Sequence, residues 1–432
     1  MTSFGIVGGG ILGGALALRL ARAGHQVTLY EAAPNLGGLA SAWSIGEIVW
    51  DRHYHVTLLS DQRTNGLLEE LGLECRWVET KTGSFFDGEL YSISNALEFL
   101  RFPPLSLLAK FRLGLTILRG ASTNNWRQLE LIAVEDWLLR WSGPQVYNRF
   151  WLPLLRAKLG ETYRETSAAF IWATIQRLYS ARKSGLKKEL FGYVPGGYAR
   201  TLERLGEALV EAGVEIRLGT RVTSVAAGPV VETESGVDYF DHVAVTAPGP
   251  IASRLIVELS EEYRSRLAST HYVGIICPSV VTKNPLSDFY LTYLHDPAPF
   301  TAIVEMSAFV DRAEFGGRSL LYLPKYAAAD DPIFEQSDDE IEDQFLNHLS
   351  AIHPRFDRGD VVAFKISRAR YVFPVSTLGR SSHVPPFATG VPGVSVISSA
   401  QIVNGTLNVN ETLEIADRGF KHLLEQPDRA RA

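Results

Sequence analysis

The stretch FGIVGGGILGG, residues Phe4–Gly14, decides the fold of this chain. Its first four residues are apolar, as is typical of a buried parallel strand. The residues after the glycines, Ala15–Ala23, are good helix formers, and a glycine follows them. A second apolar strand, Val27–Tyr30, ends at Glu31. The order strand, glycine turn, helix, strand, acid predicts a βαβ unit that binds a dinucleotide.

Three glycines of this unit have separate predicted roles. Gly8 allows the tight turn, Gly10 lets the backbone approach a pyrophosphate, and Gly13 permits close packing of helix on strand. Free amides at the start of the helix would hold the phosphates. Glu31 lies 18 residues after Gly13, where a carboxylate accepts both adenosine ribose hydroxyls and repels a 2′-phosphate. The spacing therefore predicts FAD or NAD rather than NADP.

The following residues distinguish FAD from NAD. Gly37 and Gly38 lie six and seven residues beyond the ribose acid. This pair resembles the second fingerprint of the FAD oxidoreductases of the amine oxidase, protoporphyrinogen oxidase and phytoene desaturase superfamily, where the loop wraps the ribityl and pyrophosphate region. Members usually carry arginine where this chain has Asn35, and often another where it has Leu39. The resemblance implies FAD as the cofactor, with its phosphates neutralised mainly by backbone amides.

The resemblance also implies an α/β fold class in several parts. A Rossmann-like FAD-binding domain would be assembled from discontinuous segments, beside a substrate domain of mixed sheet plus helices and a helical insert. The expected bounds are residues 1–75, 190–250 and 366–432 for the FAD-binding domain, 76–94 and 255–365 for the substrate domain, and 95–188 for the helical insert, whose apolar anchors would be Trp137, Leu138, Trp141, Trp151, Leu154 and Leu155.

Two later segments add candidate cofactor contacts. Val222 occupies the valine position whose backbone contacts adenine in the family. The segment Gly393–Ala400 resembles the closing strand that normally ends in Gly-Asp, but here those positions are Ser398 and Ser399. The missing acid is the largest departure from the family pattern, and a serine hydroxyl could still hydrogen-bond ribityl oxygens.

The last predicted helix completes the expected cofactor site. It should begin around Leu407 and Asn408 and run to about Phe420. Its amino end would point at the pyrimidine edge of the flavin, where partial positive charge stabilises the anionic reduced form.

Two histidines are the first candidates for chemistry. The segment Trp50–His55 resembles the family's Asp-x-Gly-x-His pattern, which passes the isoalloxazine ring. His55 is the position carried over from the family. His53 stands where glycine is usual and could intrude on the flavin face, and a structural role stays open for both histidines.

Other candidates for a proton or substrate role are Arg156, Lys158, Tyr193 and Lys325. For Arg156 and Lys158 we favour the plainer interpretation, a solvated helix face. Lys325 is a catalytic candidate because some relatives place a lysine beside flavin N5.

The leading hypothesis is a two-electron dehydrogenation, a C–C or C–N desaturation, of a largely apolar or aromatic-bound small molecule. Hydride would pass to flavin N5, with O2 or a quinone as the final acceptor. The pattern also resembles UDP-galactopyranose mutase, a redox-neutral enzyme that acts on a sugar nucleotide. That alternative predicts arginines converging on a pyrophosphate, and the available ones are Arg177, Arg182, Arg368 and Arg370. A third hypothesis is a non-catalytic, flavin-free binding protein.

Composition excludes several other classes. The chain has 432 residues, with 42 basic and 48 acidic side chains, and this net charge of −6 argues against a nucleic-acid partner. Two cysteines, Cys75 and Cys277, cannot form a cysteine-based zinc site, and we expect no metal. Sparse cysteine usage suits a cytoplasmic location. The oligomeric state stays open.

One predicted helix, Leu105–Arg119, carries apolar residues on a single stripe: Leu107, Leu108, Phe111, Leu115 and Leu118. We favour a helix packed on its own domain. The alternative is a basic amphipathic helix on an anionic membrane, at the inner face, with residues 102–119 making the contact.

Overall fold

Strand, helix and strand follow one another through the first 30 residues, as the glycine motif predicts. The computed structural model describes residues 1–182, 190–404 and 407–426. Its strands, in chain order, are β1 (Ser3–Val7), β2 (Gln26–Tyr30), β3 (Ala42–Ile45), β4 (Ile48–Asp51), β5 (Thr57–Leu58), β6 (Arg76–Glu79), β7 (Lys81–Phe86), β8 (Glu89–Ser92), β9 (Leu190–Tyr193), β10 (Glu215–Arg217), β11 (Val222–Ala226), β12 (Val230–Thr233), β13 (Gly236–Tyr239), β14 (His242–Val245), β15 (Tyr272–Thr282), β16 (Phe289–Leu294), β17 (Ala302–Glu305), β18 (Ser319–Tyr322), β19 (Lys325–Ala328), β20 (Val361–Pro374) and β21 (Val394–Val396). Its α-helices are α1 (Ile11–Arg22), α2 (Gln62–Glu70), α3 (Ala96–Arg101), α4 (Leu107–Ser122), α5 (Trp126–Leu129), α6 (Val134–Val146), α7 (Leu152–Leu159), α8 (Ala168–Arg182), α9 (Gly197–Glu211), α10 (Gly249–Leu255), α11 (Glu261–Ala268), α12 (Asp338–Ile352) and α13 (Val409–Leu424).

A parallel sheet of five strands carries the glycine motif. Its order is β10-β2-β1-β14-β21, and every neighbouring pair is parallel. These strands come from both ends and from the middle of the chain. The α/β class, with a Rossmann-like unit built from discontinuous segments, is therefore confirmed.

Helix α1 lies against this sheet because its sequence is almost entirely small or aliphatic. Every residue from Ile11 to Leu18 is buried. Basic Arg19 and Arg22 lie in its last turn, where they complement the negative end of the helix dipole. The helix ends before Gly24, whose φ of +88° places it in the left-handed region that favours glycine.

A second, mixed sheet of eight strands forms the other half of the molecule. Its order is β19-β15-β18-β17-β16-β7-β8, with β20 also paired to β15. All eleven residues of β15 are buried, since the sheet is covered on both faces. Smaller sheets join β3 with β4, β5 and β6 with β9, and β11 with β12 and β13.

The expected domain boundary before residue 366 falls within strand β20. This strand pairs antiparallel with β15 as far as Pro374, opposite Tyr272. Residues 366–374 therefore lie in the large sheet rather than with the parallel sheet, because strand pairing continues beyond residue 366. The rest of the domain division stays a prediction.

The segment between the sheets is helical, as expected. Four of its predicted anchors are buried, while Trp141 and Leu154 are half-buried. The buried anchors are Trp137, Leu138, Trp151 and Leu155. Helix α6 is kinked at Gly143, whose φ is +78°, just before Pro144.

The apolar stripe of helix α4 faces away from the protein, whereas our favoured interpretation places it against the core. The five residues of the predicted stripe are exposed, and the buried face of the helix is formed by Ala109, Lys110, Leu113, Thr116 and Gly120. The interpretation that the stripe packs on the helix's own domain is therefore wrong. Among the described residues, no helix is both long and apolar enough to cross a bilayer.

Candidate active site

The first glycine loop has a geometry that only glycine permits. Gly8 has a φ of +115°, and a Cβ added to Gly13 would lie 1.9 Å from the Gly8 carbonyl oxygen. At Gly10 an added Cβ would meet only the Gly37 carbonyl oxygen, at 3.9 Å. Gly13 therefore allows close approach within the loop, and Gly10 leaves its outer side open.

The second glycine pair closes over the first loop. The Gly37 amide donates to the Gly9 carbonyl at 2.8 Å, and Gly10 and Gly37 form an isolated parallel bridge. A Cβ on Gly38 would lie 3.3 Å from the Gly10 Cα atom. The two loops thus present a continuous backbone surface that side chains would fill.

Helix α1 points a bare amino end at this surface. Its N-cap, Gly10, has no capping side chain, and its first turn contains no acidic residue. The first intrahelical bond runs from the Gly14 amide to the Gly10 carbonyl. The amides of Ile11, Leu12 and Gly13, in the first turn, have no acceptor within the helix and are consequently available to an anion such as a pyrophosphate.

Glu31 is held at the end of β2 by two backbone amides. One carboxylate oxygen accepts from the Gly9 amide at 2.7 Å, and the other from the Ala33 amide at 2.8 Å. Each oxygen keeps a lone pair for a further donor. A ribose diol, with two adjacent hydroxyl donors, matches this arrangement.

Val222 lies close to the ribose acid. The Thr220 amide donates to the Glu31 carbonyl at 2.9 Å, and the Gly219 amide donates to Ala33. Val222, two residues later, begins β11 and is buried. Its backbone contact with adenine stays a prediction that this location supports.

Ser398 and Ser399 lie just beyond β21, as expected, but their hydroxyls have protein partners. The Ser398 hydroxyl accepts from the Ala400 amide at 3.3 Å, within a capping box completed by Gln401. The Ser399 hydroxyl lies 3.4 Å from the Tyr272 hydroxyl. Ser398 is fully buried and Ser399 is half-buried, so Ser399 is the more accessible of the two to a ribityl chain.

A buried arginine, Arg380, lies next to these serines, and no pattern in the sequence predicts its position. Arg380 donates through Nε to the Ile402 carbonyl at 2.9 Å and through Nη2 to the Ala400 carbonyl at 2.7 Å. Burial lowers the pKa of this guanidinium to about 10. Its two bonds hold the turn that follows β21.

The amino end of α13 lies where the sequence predicts it. Asn408 is the N-cap and accepts from the Glu411 amide at 3.0 Å, and the helix continues to Leu424. Leu407 packs against both the parallel-sheet core and the large-sheet core. This helix terminus therefore lies at the junction of the two halves.

His53 links the second glycine loop to the large sheet. Its Nδ1 lies 2.9 Å from the Leu39 carbonyl, and its Nε2 lies 3.1 Å from the Ser367 hydroxyl on β20. Burial lowers its pKa to about 4, so the ring is neutral at pH 7. With both ring nitrogens engaged, His53 has the geometry of a positioning residue.

His55 lies on the other side of the same segment. Its Nδ1 is 3.5 Å from Asp51 Oδ2, and its ring lies 4.6 Å from that of Tyr198. Asp51 also accepts from the Tyr198 amide at 2.7 Å, which fixes the start of α9. A role for His55 in chemistry stays a prediction.

Between these histidines, Tyr54 begins an aromatic cluster that contains a lysine. The Tyr54 and Tyr326 hydroxyls lie 2.8 Å apart, and burial raises the pKa of both phenols. Lys158 Nζ lies 3.4 Å from the centroid of the Tyr326 ring and 5.2 Å from that of Phe373. We call Tyr54, Lys158, Tyr326 and Phe373 the lysine–tyrosine cluster.

Burial lowers the pKa of Lys158 to about 7. Desolvation is the cause of this shift, and no carboxylate among the described residues offsets it. The expectation of a solvated helix face is therefore wrong for Lys158. It holds for Arg156, which is exposed and lies 3.7 Å from Glu161.

Lys325 lies on the opposite face of the sheet from the cluster. It pairs with Ile276, whereas Tyr326 pairs with Ile275, and successive strand residues point to opposite faces. Tyr193, another candidate, is buried elsewhere in the same core, with its hydroxyl 3.4 Å from the Asp311 amide.

The arginines that a sugar-nucleotide site would need are paired elsewhere. Arg177 holds Asp61, with Nη2 to Oδ2 at 2.9 Å. Arg368 binds Asp338 at 2.5 Å, and Arg370 is paired with Glu335. The side chain of Arg182 lies outside the described residues. The described arginines do not converge on one site.

The donor set around the glycine loops fits FAD. It combines a side-chain-free backbone surface, free helix amides and a carboxylate held for a diol, which suit a diphosphate and an adenosine ribose. His53 then connects this surface to the lysine–tyrosine cluster, which lies further along the same segment.

Comparisons with known proteins agree with this geometry. A family profile described as flavin containing amine oxidoreductase matches residues 15–408. A zeta-carotene desaturase from Synechocystis sp. is 23% identical over 419 residues, covering 81% of this chain and 82% of that protein.

Two solved structures share the fold. A proposed protoporphyrinogen oxidase from Exiguobacterium sp. 255-15 superposes with a TM-score of 0.77 at 19% identity, covering 98% of this chain and 99% of its own. A reduced UDP-galactopyranose mutase also gives a TM-score of 0.77, at 15% identity, covering 98% of this chain and 96% of its own. At these identities the likeness shows the fold.

Proposed function

Because the chain belongs to the flavin containing amine oxidoreductase family and is an FAD-dependent oxidoreductase, we propose that it desaturates a largely apolar small molecule. When bound, FAD supplies the acceptor for a hydride, at N5, and O2 or a quinone would later remove the electrons. Desaturation also releases one proton from the substrate. The protein must supply the group that receives it.

Lys158 is the proposed proton acceptor, and the position of its amine over the Tyr326 ring in the lysine–tyrosine cluster is the observation that carries this function. A pKa of about 7 leaves a substantial fraction of the amine neutral at neutral pH, as a general base requires. After accepting a proton, the ammonium lies over the face of Tyr326, where cation–π attraction stabilises it.

The proposed substrate class follows from the surroundings of that amine. Tyr326 and Phe373 present rings to it, Tyr54 contacts the Tyr326 hydroxyl, and the surrounding core cluster consists of hydrophobic and aromatic side chains. An aromatic and apolar environment of this kind favours apolar carbon frameworks over polar ones. The Synechocystis relative is a zeta-carotene desaturase, and this supports the same reaction class.

The mutase alternative has less support. Arg177, Arg368 and Arg370 each hold a carboxylate of this protein, so binding a sugar-nucleotide diphosphate would require breaking those pairs. The likeness to UDP-galactopyranose mutase concerns the fold.

Anaerobic mixing of the holoenzyme with candidate substrates tests the proposal. Zeta-carotene in detergent micelles serves as an apolar probe and UDP-galactose as a sugar nucleotide. We expect loss of the yellow flavin absorbance with the polyene and no change with the nucleotide. Tight binding of UDP-galactose, with no bleaching by the polyene, would overturn the proposal.

The role of Lys158 is tested by the pH dependence of the same bleaching rate. The wild-type rate should rise through about pH 7 as the amine loses its proton. Lys158→Met should lower the rate by about 10²–10⁴-fold and remove that rise. Lys325→Met, on the other sheet face, is the matched control and should keep it. An unchanged pH profile in Lys158→Met would exclude Lys158 as the base.

A further inference from the structure

The exposed face of α4 is an apolar surface with a regular helical spacing. Leu107, Leu108 and Phe111 are 73%, 67% and 65% exposed, and Leu115 and Leu118 continue the same face. At 100° per residue these five side chains fall within an arc of about 100°. We call them the α4 apolar face.

Helix α3 extends this surface. Its Leu97 and Leu100 are 66% and 55% exposed. The buried ammonium of Lys110 on α4 donates to the Leu100 carbonyl at 2.7 Å, which ties the two helices together. Seven large apolar side chains therefore project from one pair of joined helices.

The surface is fixed in place by the turn that precedes α4. Phe102 and Leu105 are 1% and 2% exposed and belong to the large-sheet core. Phe102 packs edge-on against Phe86, with ring centroids 5.7 Å apart. The apolar face thus stands on a rigid base and does not result from a detached helix.

Charge distinguishes this surface from the rest of the molecule. The whole chain carries a net charge of −6, yet α4 contains Lys110, Arg112 and Arg119 and no acidic residue. The one acidic residue of α3, Glu98, accepts bonds from Ser92 and Ser94. A basic margin beside an apolar face complements an anionic lipid surface.

We propose that α3 and α4 dock this protein on a bilayer that contains anionic lipids, with the helix axis of α4 in the plane of the interface. The leucines would enter the acyl boundary, and Arg112 and Arg119 would lie near the phosphates. A second copy of the chain is a poorer occupant, because a symmetric contact would bring two basic α4 helices together. The proposal is independent of the reaction catalysed.

Vesicle co-sedimentation of the full-length holoenzyme tests this surface. The probes are vesicles of phosphatidylcholine alone and of phosphatidylcholine mixed with phosphatidylglycerol. We expect binding to the mixed vesicles that weakens on addition of salt. A triple variant, Leu107→Gln, Leu108→Gln and Phe111→Gln, should lower the bound-to-free ratio at least tenfold.

The matched control removes three exposed apolar residues from other surfaces. Val49→Gln, Val210→Gln and Val257→Gln replace side chains that are 56%, 65% and 60% exposed. This control should bind vesicles as the wild type does. Equal binding by the triple α4 variant would overturn the proposal. So would a wild-type dimer in sedimentation velocity that the α4 variant converts to monomer, since a second copy would then cover this face.

Discussion

Lys158 shows how one residue combines a cost in stability with a chemical use. Its amine lies over the Tyr326 ring and near the Phe373 ring, and desolvation lowers its pKa. The protonated form is therefore disfavoured in the folded protein relative to the unfolded chain. The desolvation that lowers the pKa of the amine also has a cost in stability. It lowers the free energy of unfolding at every pH at which the amine of the unfolded chain is protonated.

Replacing Lys158 with methionine should therefore stabilise the protein in a pH-dependent way. The folded pKa is about 7 against an ordinary 10.5, so between those values the unfolded chain binds the additional proton. The free energy of unfolding of the wild type then rises with pH across that window. The stabilisation by Lys158→Met should be largest at and below about pH 7 and disappear toward about pH 10.

Urea unfolding at several pH values measures this difference. Lys81→Met, which removes an exposed ammonium, is the control and should leave the pH dependence unaltered. A constant difference between Lys158→Met and wild type at every pH would contradict the prediction.

The sequence indicates the residues of the glycine loops far better than those of the cluster. Gly8, Gly13 and Glu31 follow from local spacing, because turn, helix and strand dictate them within 30 residues. The environment of Lys158 depends on Tyr326, which is distant in the sequence. A lysine on a short helix is ordinarily solvated, so periodicity could not predict its burial.

At the scale of elements, α13 depends on its first residue. Asn408 accepts the Glu411 amide, and the helix then packs along α1 through buried residues such as Leu413 and Ala416. Its amino end lies at the junction of the two sheets. A fault in this cap would therefore affect both the packing of α1 and the region proposed to face the flavin.

Asn408→Ala should lower the free energy of unfolding by about 1 kcal/mol, because it removes the N-cap acceptor. Asn408→Ser keeps an oxygen acceptor and is the matched control, with a loss of only a few tenths of a kcal/mol. Urea denaturation of both variants decides this. Equal losses for alanine and serine would show that the cap does not account for the role of Asn408.

Elements were predictable where their determinants are local. The βαβ unit, the strand β14 and the last helix all lie where apolar spacing predicts them. The end of β20 could not be predicted from local sequence, because it is set by pairing with β15, almost a hundred residues earlier in the chain. The orientation of α4 was also missed, since an apolar stripe marks a face without showing what covers it.

At the scale of the whole molecule, the predicted contacts of the cofactor come from parts that are distant in sequence. The glycine loops come from residues 8–14 and 37–38, Val222 from the middle, and Ser399 and Asn408 from the last strand and helix. A ligand that contacts all of them stabilises the folded chain by mass action.

FAD at 100 times its dissociation constant should raise the free energy of unfolding of the apoprotein by about 2.7 kcal/mol. Riboflavin is the control, because it lacks the diphosphate and adenosine that the loops and Glu31 are built to hold. It should stabilise much less at the same concentration in thermal unfolding. Equal stabilisation by riboflavin and FAD would contradict the proposed roles of the glycine loops.

The position of β21 in the parallel sheet has a consequence for biosynthesis. This strand, residues 394–396, pairs with β14, which pairs with β1 at the amino terminus. On a ribosome, the amino-terminal crossover therefore emerges long before its last sheet neighbour is translated. We expect the nascent polypeptide to stay colourless until β21 has left the ribosome, and to acquire its yellow coenzyme only after that.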